Sequence, residues 1–220
     1  MRPAAAYHRS MTDAAGTVEA VLFDFGGVLI DSPLQAFSRY ERERGLPDGF
    51  LRQVNATNHL DNAWARLERN EVSFDVFCDL FAKECEQAGA SVDVRDVFAH
   101  LTGALHEPMV EALRRIRPHY RTGLLTNNFA VPLVGDGHDD VVALFDVVVG
   151  SADVGLRKPD PRFYRLACDR LGVAPNRCVF LDDLGINLKP AREMGMTTIK
   201  VVDPSVAVDE LQALLGIDLR

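Results

Sequence analysis

The sequence predicts an α/β protein, a doubly wound parallel sheet interrupted by a long helical insertion, and three observations carry that reading. Short, nearly continuous apolar runs recur at residues 19–24, 121–126, 145–150, 177–182 and 197–202, the pattern of strands covered on both faces. Helix-length segments at 108–117, 161–171, 187–194 and 205–215 separate most of those runs, as the connections of a parallel sheet must. Polar residues end or follow the runs, and right-handed crossovers bring the strand C-terminal ends to one edge, where open α/β sheets bind ligands.

Taken in order, residues 1–16 are Ala-rich with Arg2, His8 and Arg9 and have no apolar h-region. They read as a disordered lead-in with Met11 as an alternative start, a transit peptide being the other reading. Residues 17–33 and 107–220 are expected to form the core. The first run stops at Asp24 and meets Gly26 and Gly27, as a buried strand entering a tight loop does. Residues 34–106 carry helical patterns broken at Gly45-Leu46-Pro47 and at Gly89, with few β-branched runs. Phe74, Phe77, Cys78, Phe81 and Cys85 recur at helical spacing and form an apolar stripe, which reads as core packing. After residue 107 the remaining runs alternate with the helical segments, and no internal repeat is visible.

A chain of 220 residues buries enough surface to fold without disulfides. Its 24 Lys and Arg against 32 Asp and Glu give a net charge of −8, which argues against a nucleic-acid surface. The composition, 47% hydrophobic and 25% charged, is that of an ordinary globular domain. No apolar run reaches the roughly 18 residues that cross a bilayer. The four cysteines, Cys78, Cys85, Cys168 and Cys178, form no CxxC pair and read as reduced thiols of a cytoplasmic protein. Cys78 and Cys85 are about 10 Å apart along one helix, too far to bridge.

Asp24, Thr126 with Asn127 and Asn128, and Asp182 with Asp183 end or directly follow three of the runs, and Lys158 lies in the loop after another. Each alone reads equally well as a loop or helix cap; their convergence on one edge argues for a site. Three carboxylates brought together raise one another's pKa and lose hydration, so a cation is the economical compensation. Oxygen donors without neighbouring cysteine or paired histidine favour a hard ion, and Mg2+ takes one or two carboxylates, waters and a substrate phosphate. Lys158 adds positive charge, and the Thr126 hydroxyl and the amides around Asn127 and Gly26-Gly27 can donate to anionic oxygens. A carboxylate nucleophile, a metal, a lysine and a hydroxyl together suit phosphoryl transfer through an aspartyl-phosphate.

Asp24-Phe-Gly-Gly-Val, Leu125-Thr126-Asn127-Asn128, Arg157-Lys158-Pro159-Asp160-Pro161 and Phe180-Leu-Asp182-Asp183-Leu-Gly-Ile-Asn187-Leu-Lys resemble, in order, the four motifs of the haloacid dehalogenase (HAD) superfamily. The resemblance covers about residues 19–220. Within the superfamily it is strongest to the N-terminal phosphatase-type domain of soluble epoxide hydrolases and the related domain of fused acyl-CoA dehydrogenases. The tail from Phe180 through Ile199-Lys200-Val201 to Leu214-Leu215-Gly216 carries that likeness. It implies a Rossmannoid core with the first and fourth motif strands adjacent, about 4.8 Å apart. The segment 34–106 would then be a helical cap that closes over the rim and supplies the substrate pocket.

The resemblance also implies roles. Asp24 would be the nucleophile. Thr126, Asn127 and Gly27 would hold phosphoryl oxygens, and Lys158 would offset charge. Asp24, the Gly26 backbone carbonyl and Asp183 would bind Mg2+, Asp182 would orient Lys158 or water on the metal, and Asn187 would support the ligand set from behind. The implied protein is a cytoplasmic, monomeric or homodimeric Mg2+-dependent phosphatase of a small phosphorylated metabolite, with no nucleic-acid or membrane partner.

One position departs from the pattern. Typical phosphatases of this superfamily carry a second aspartate two positions after the nucleophile as general acid and base, and here that position is Gly26. Loss of such assistance costs a factor of about 10² to 10⁴, so a slow or leaving-group-selective enzyme is expected. A phosphate-binding regulatory domain and a dehalogenase are the alternatives. Asp31, in the same loop, is a weaker candidate for the missing acid and otherwise a turn residue before Ser32-Pro33. Gly135-Asp136-Gly137-His138-Asp139-Asp140 matches no metal-site spacing and reads as a surface loop. His8, His59, His100, His106 and His119 are unpaired in sequence, with His59 and His106 the two that could lie near substrate.

Overall fold

The computed structural model describes residues 17–101, 103–130 and 138–220. The lead-in at 1–16 and residues 135–137 of the 135–140 loop fall outside the described residues. The chain runs β1 (Ala20–Phe23), α1 (Pro33–Arg44), α2 (Phe50–Ala56), α3 (Ala63–Glu68), α4 (Phe74–Gln87), α5 (Val94–Ala99) and α6 (Glu107–Ile116). It continues through β2 (Arg121–Thr126), α7 (Asp139–Val142), β3 (Val147–Gly150), α8 (Ser151–Val154) and α9 (Pro161–Leu171). It ends with β4 (Cys178–Asp182), α10 (Gly185–Glu193), β5 (Thr197–Lys200) and α11 (Pro204–Leu215).

The strands form one parallel sheet in the order β3-β2-β1-β4-β5. β1 is central, and its alternating side chains show why its sequence is apolar throughout. Val21 and Phe23 face the layer of α6, α7 and α11, packing with Leu113, Ile116, Val141 and Leu211. Ala20 and Leu22 face α9 and α10, packing with Phe163, Tyr164, Leu171 and Ala191. Both faces are therefore covered, as the uninterrupted apolar runs require. The run at 145–150 becomes strand only from Val147, and Phe145 ahead of it sets its ring edge-on to Phe23, with centroids 5.8 Å apart. The helix expected from residue 187 starts at Gly185.

The helices between β1 and α6 make their own core. The stripe read on α4 is its centre: Phe77, Phe81 and Cys85 are fully buried, with Phe74 and Cys78 packed at the margin. Trp64 of α3 meets Phe77 edge-on at 4.9 Å and stacks on Phe98 of α5 at 5.4 Å. Glu41, buried on α1, accepts hydrogen bonds from the backbone N–H groups of Gly49 and Leu51 and so satisfies the first turn of α2. The two chain crossings into this unit lie side by side, joined by an Ile30–Leu105 bridge and by the His106 N–H donating to the Leu29 carbonyl at 2.8 Å.

All four cysteines are free thiols. Sequence spacing gave no reason to associate Cys168 with Cys178, yet the fold sets their sulfurs 4.0 Å apart between α9 and β4. Among the described residues, no helix is long and apolar enough to cross a membrane.

Candidate active site

The sheet brings Asp24, Thr126 and Asp182 to one edge because each sits at or just after a strand's C-terminal end. In the β1–β4 register Phe23 pairs with Leu181, so Asp24 falls opposite Asp182, and the Asp24 N–H extends the ladder to the Leu181 carbonyl at 2.9 Å. Lys158 enters from the loop between α8 and α9, and its own peptide bond to Pro159 is cis. Its Nζ lies 2.7 Å from Asp24 Oδ1 and 2.8 Å from Asp182 Oδ2, and it is 1% exposed. A buried ammonium with two carboxylates in contact is a strong charge-assisted arrangement.

Asp182 is fully committed. Its Oδ1 accepts from the Leu184 N–H and from Asn187 Nδ2, and its Oδ2 from Lys158 and Asn187 Nδ2. Asn187 is held in turn by Tyr164, whose hydroxyl donates to the Asn187 carbonyl at 2.7 Å. Asp24 Oδ1 takes the Phe25 N–H at 2.7 Å in addition to Lys158, which fixes the carboxylate's orientation. Asp183 Oδ2 accepts from the Ser32 hydroxyl at 3.0 Å.

Burial pushes the Asp24 carboxyl well above the ordinary range, with Lys158 opposing the shift and Asp182 adding to it. Asp183 is pushed up to about 6, by burial first and then by the neighbouring Asp182. Burial acts to lower the Lys158 pKa, but Asp182 and Asp24 outweigh it and the lysine ends above its ordinary value. The lysine is thus charged, and the carboxylates around it are under-compensated.

The donor set fits a hard divalent cation. Asp24, Asp182 and Asp183 offer oxygens within 4.8 Å of one another, three carboxyl groups against the one ammonium that touches two of them. Asp182 is the least suited to bind an ion, since both its oxygens are taken, whereas Asp24 and Asp183 carry fewer contacts. Gly27 lies against this group at φ +78°, and a Cβ there would come within 2.4 Å of Asp183 Oδ2, so only glycine fits.

Other residues singled out in the sequence are placed as follows. Thr126 ends β2 beside Gly150. The Asn127 side chain binds the backbone of Lys158 at both ends, Oδ1 accepting from the Lys158 N–H at 2.9 Å and Nδ2 donating to its carbonyl at 3.1 Å. Its amide therefore holds the lysine loop. Asn128 closes the start of α8, exchanging hydrogen bonds with Ser151 and accepting from the Ala152 N–H. Asp160 caps α9, accepting from the Arg162 N–H ahead of Pro161. Asp31 is committed to the linkers, its Oδ1 3.2 Å from His106 Nε2 and its Oδ2 accepting from the Ala104 N–H, so it is not poised as the missing acid. Asn187 lies behind the carboxylates, its Nδ2 donating to both oxygens of Asp182.

Ser32, Tyr164 and Arg157 were not foreseen as parts of the site. Ser32 and Tyr164 have no signal in a linear motif, because their partners lie far along the chain. Arg157 was visible only as the residue before Lys158.

The chain is 37% identical over 211 residues to acyl-CoA dehydrogenase family member 10 of Mus musculus, covering 91% of this chain and 19% of that protein. It is 32% identical over 219 residues to bifunctional epoxide hydrolase 2 of Sus scrofa, covering 92% and 40%. It thus spans well under half the length of these two relatives. A phosphatase of Mycobacterium tuberculosis is 31% identical over 82% of this chain and 85% of its own length. Among solved structures, a dehalogenase with an intermediate complex matches with a TM-score of 0.66 at 22% identity, over 92% and 99% of the two chains. A HAD family enzyme of Bacteroides thetaiotaomicron in complex with magnesium and inorganic phosphate matches with a TM-score of 0.57 at 21% identity, over 84% and 96%. Both likenesses concern the fold. Residues 18–195 match the model of the haloacid dehalogenase-like hydrolases, and with the four motif segments gathered at one sheet edge the chain belongs to that family of enzymes.

Proposed function

We propose that this hydrolase is a Mg2+-dependent phosphatase acting on a small phosphorylated metabolite through an aspartyl-phosphate at Asp24, with residues 34–106 as its cap. The observation that carries the reading is the excess of buried carboxylate over lysine at the rim. Attack on a neutral carbon–halogen bond needs an aspartate but no cation, so a dehalogenase would have no use for Asp183 beside Asp182. The mycobacterial relative, matched over most of its length, is a phosphatase, which supports the same class.

Asp24, the Gly26 carbonyl and Asp183 are the residues that would hold Mg2+, which when bound offsets negative charge on the phosphoryl oxygens. Lys158 adds charge, fixed by Asp182, while the Thr126 hydroxyl and the Asn127 N–H donate to the remaining oxygens; the Gly27 N–H is already given to the Ile30 carbonyl at 2.8 Å and is not available to them. The Asp24 carboxylate attacks phosphorus as the ester oxygen–phosphorus bond breaks, and the leaving oxygen takes a proton from water. Water then attacks the phosphoryl group, the Asp24–phosphorus bond breaks, and inorganic phosphate leaves. Without a carboxyl at Gly26 no side chain donates the first proton. Acyl and sugar-1 phosphates, whose leaving groups need little protonation, are therefore the favoured substrates.

The test is phosphate release from a panel of acyl phosphates and phosphomonoesters with Mg2+ and with chelator. Asp24→Asn is expected to lower turnover by about 10³-fold or more while leaving the far-UV spectrum unchanged. Full activity in that variant, or in chelator, would sink the assignment.

A further inference from the structure

The loops that carry Asn127 and Lys158 also reach into the helical unit, and they meet the same short helix. Arg157, directly before Lys158, places Nε 2.5 Å from Glu68 Oε2 and donates from Nη1 to the His59 carbonyl at 2.7 Å. Neither partner of this ion pair is in open solvent, the side chains being 17% and 12% exposed. Phe129, directly after Asn127-Asn128, packs its ring 5.0 Å from Phe98 and 6.3 Å from Trp64. Trp64 and Glu68 are four residues apart on α3 and so share one face. α3 thus offers an aromatic ring to one loop and a carboxylate to the other.

The circuit closes on the core side. Asn127 clasps both the N–H and the carbonyl of Lys158, so the two loops are tied to each other. Burial pushes the Glu68 carboxyl upward while Arg157 opposes it, so the ion pair offsets the cost of the carboxylate's burial.

We propose that α3 is a latch in which Glu68, through Arg157, and Trp64, through Phe129, are positioning residues that set Lys158 against Asp24 when the helical unit is docked. The inference rests on the hydrolase reading for its kinetic arm alone. Closure would then do more than exclude water: it would hold the ammonium where the phosphoryl group needs it, and a misplacement of about 1 Å costs on the order of 10²-fold in rate.

Trp64 is the only tryptophan, so its fluorescence reports docking without any substrate. In the full-length protein, Glu68→Ala is expected to increase acrylamide quenching of Trp64. It should also lower kcat for acetyl phosphate with Mg2+ by about 10²-fold while KM moves far less. Glu68→Gln, which keeps an acceptor for Arg157, should recover part of both. Glu68→Ala combined with Arg157→Ala should cost little beyond either single change, since each alone already breaks the pair. Phe129→Leu keeps apolar volume and should raise quenching even if Glu68→Ala does not fold. Unchanged quenching and kcat in Glu68→Ala and Phe129→Leu would overturn the latch. Increased quenching with unchanged kcat would overturn the positioning role. If wild-type protein hydrolyses no probe yet quenching rises as expected, the docking contacts stand and the phosphatase reading falls.

Discussion

At the rim, Lys158 holds Asp24 and Asp182 by ionic hydrogen bonds of 2.7 and 2.8 Å; in the helical unit, Trp64 meets Phe37, Phe77, Phe81 and Phe98 through ring contacts alone. The first region depends on charge balance, where each member compensates a named other. The second depends on apolar area shared among many side chains. The rim should therefore fail abruptly when one residue is changed, and the helical unit by degrees.

The largest effect that tests this contrast is at Lys158. Lys158→Met matches the stem but leaves Asp24 and Asp182 buried without their cation, and removing one partner of a buried pair typically costs about 3–5 kcal/mol. Urea unfolding without divalent metal measures it. A loss of a few tenths would show that the rim is hydrated and its charges independent. In the helical unit Phe77→Ala removes a fully buried ring and should cost about 3 kcal/mol or more through the cavity it leaves. Trp64 fluorescence and far-UV ellipticity followed together decide where that cost falls. A Trp64 transition that moves to lower urea ahead of the ellipticity change makes the unit a separate cooperative body; coincident transitions make it one with the sheet.

The same contrast governs what could be read from the sequence. Rim residues occupy strand ends, so a run of apolar residues closed by Asp24, Thr126 or Asp182 announces both the element and the edge it serves. The adjacency of β1 and β4 followed from the motif resemblance rather than from any run by itself, and the place of β2 on the other side of β1 had no signal in the sequence. In the insertion, helical periodicity gave the stripe on α4 but no partner for it, because ring contacts such as Trp64 with Phe98 have no linear signature. Side chains that serve two regions were hardest. Ser32 on Asp183, Tyr164 on Asn187 and Arg157 on Glu68 each join residues distant in sequence, and only the fold sets them together. Asn127 has a second task that its motif does not announce: its side-chain amide holds the lysine loop, which leaves the backbone N–H for an anionic oxygen.

A smaller effect lies where the two regions touch. A Cβ at Gly26 would stand 3.1 Å from Pro33 Cδ, so an aspartate at that position presses on the first residue of α1. Gly26→Asp paired with Pro33→Ala should raise turnover of alkyl phosphates by about 10²-fold, the lower end of general acid assistance, and that of acyl phosphates far less. Gly26→Asp alone should gain less than the pair. Equal gains from both would show that the start of the helical unit yields freely and does not constrain the rim.

The smallest expected effect separates the regions by pH. His100, at the end of α5, sets Nδ1 2.7 Å from the Asp96 carbonyl and Nε2 3.0 Å from Glu43 on α1, with the Tyr40 ring edge-on at 5.5 Å. Asp96 Oδ1 stands 4.0 Å from Nδ1, and Arg39 donates to the His100 carbonyl. The Asp96 carbonyl first, then Glu43, raise the imidazole pKa above its ordinary 6.5. Because the folded state binds the proton more tightly, the stabilisation is complete below the ordinary value and is lost as pH rises through the raised one. Glu43 is 61% exposed, so the contribution is at most about 1 kcal/mol. The urea midpoint read by Trp64 should fall as pH rises above about 6.5, and in His100→Gln this fall should be smaller. A fall of equal size in His100→Gln would move the pH dependence out of the α1–α5 contact. It would then belong to the carboxylates of the rim, and the two regions would share one electrostatic fate.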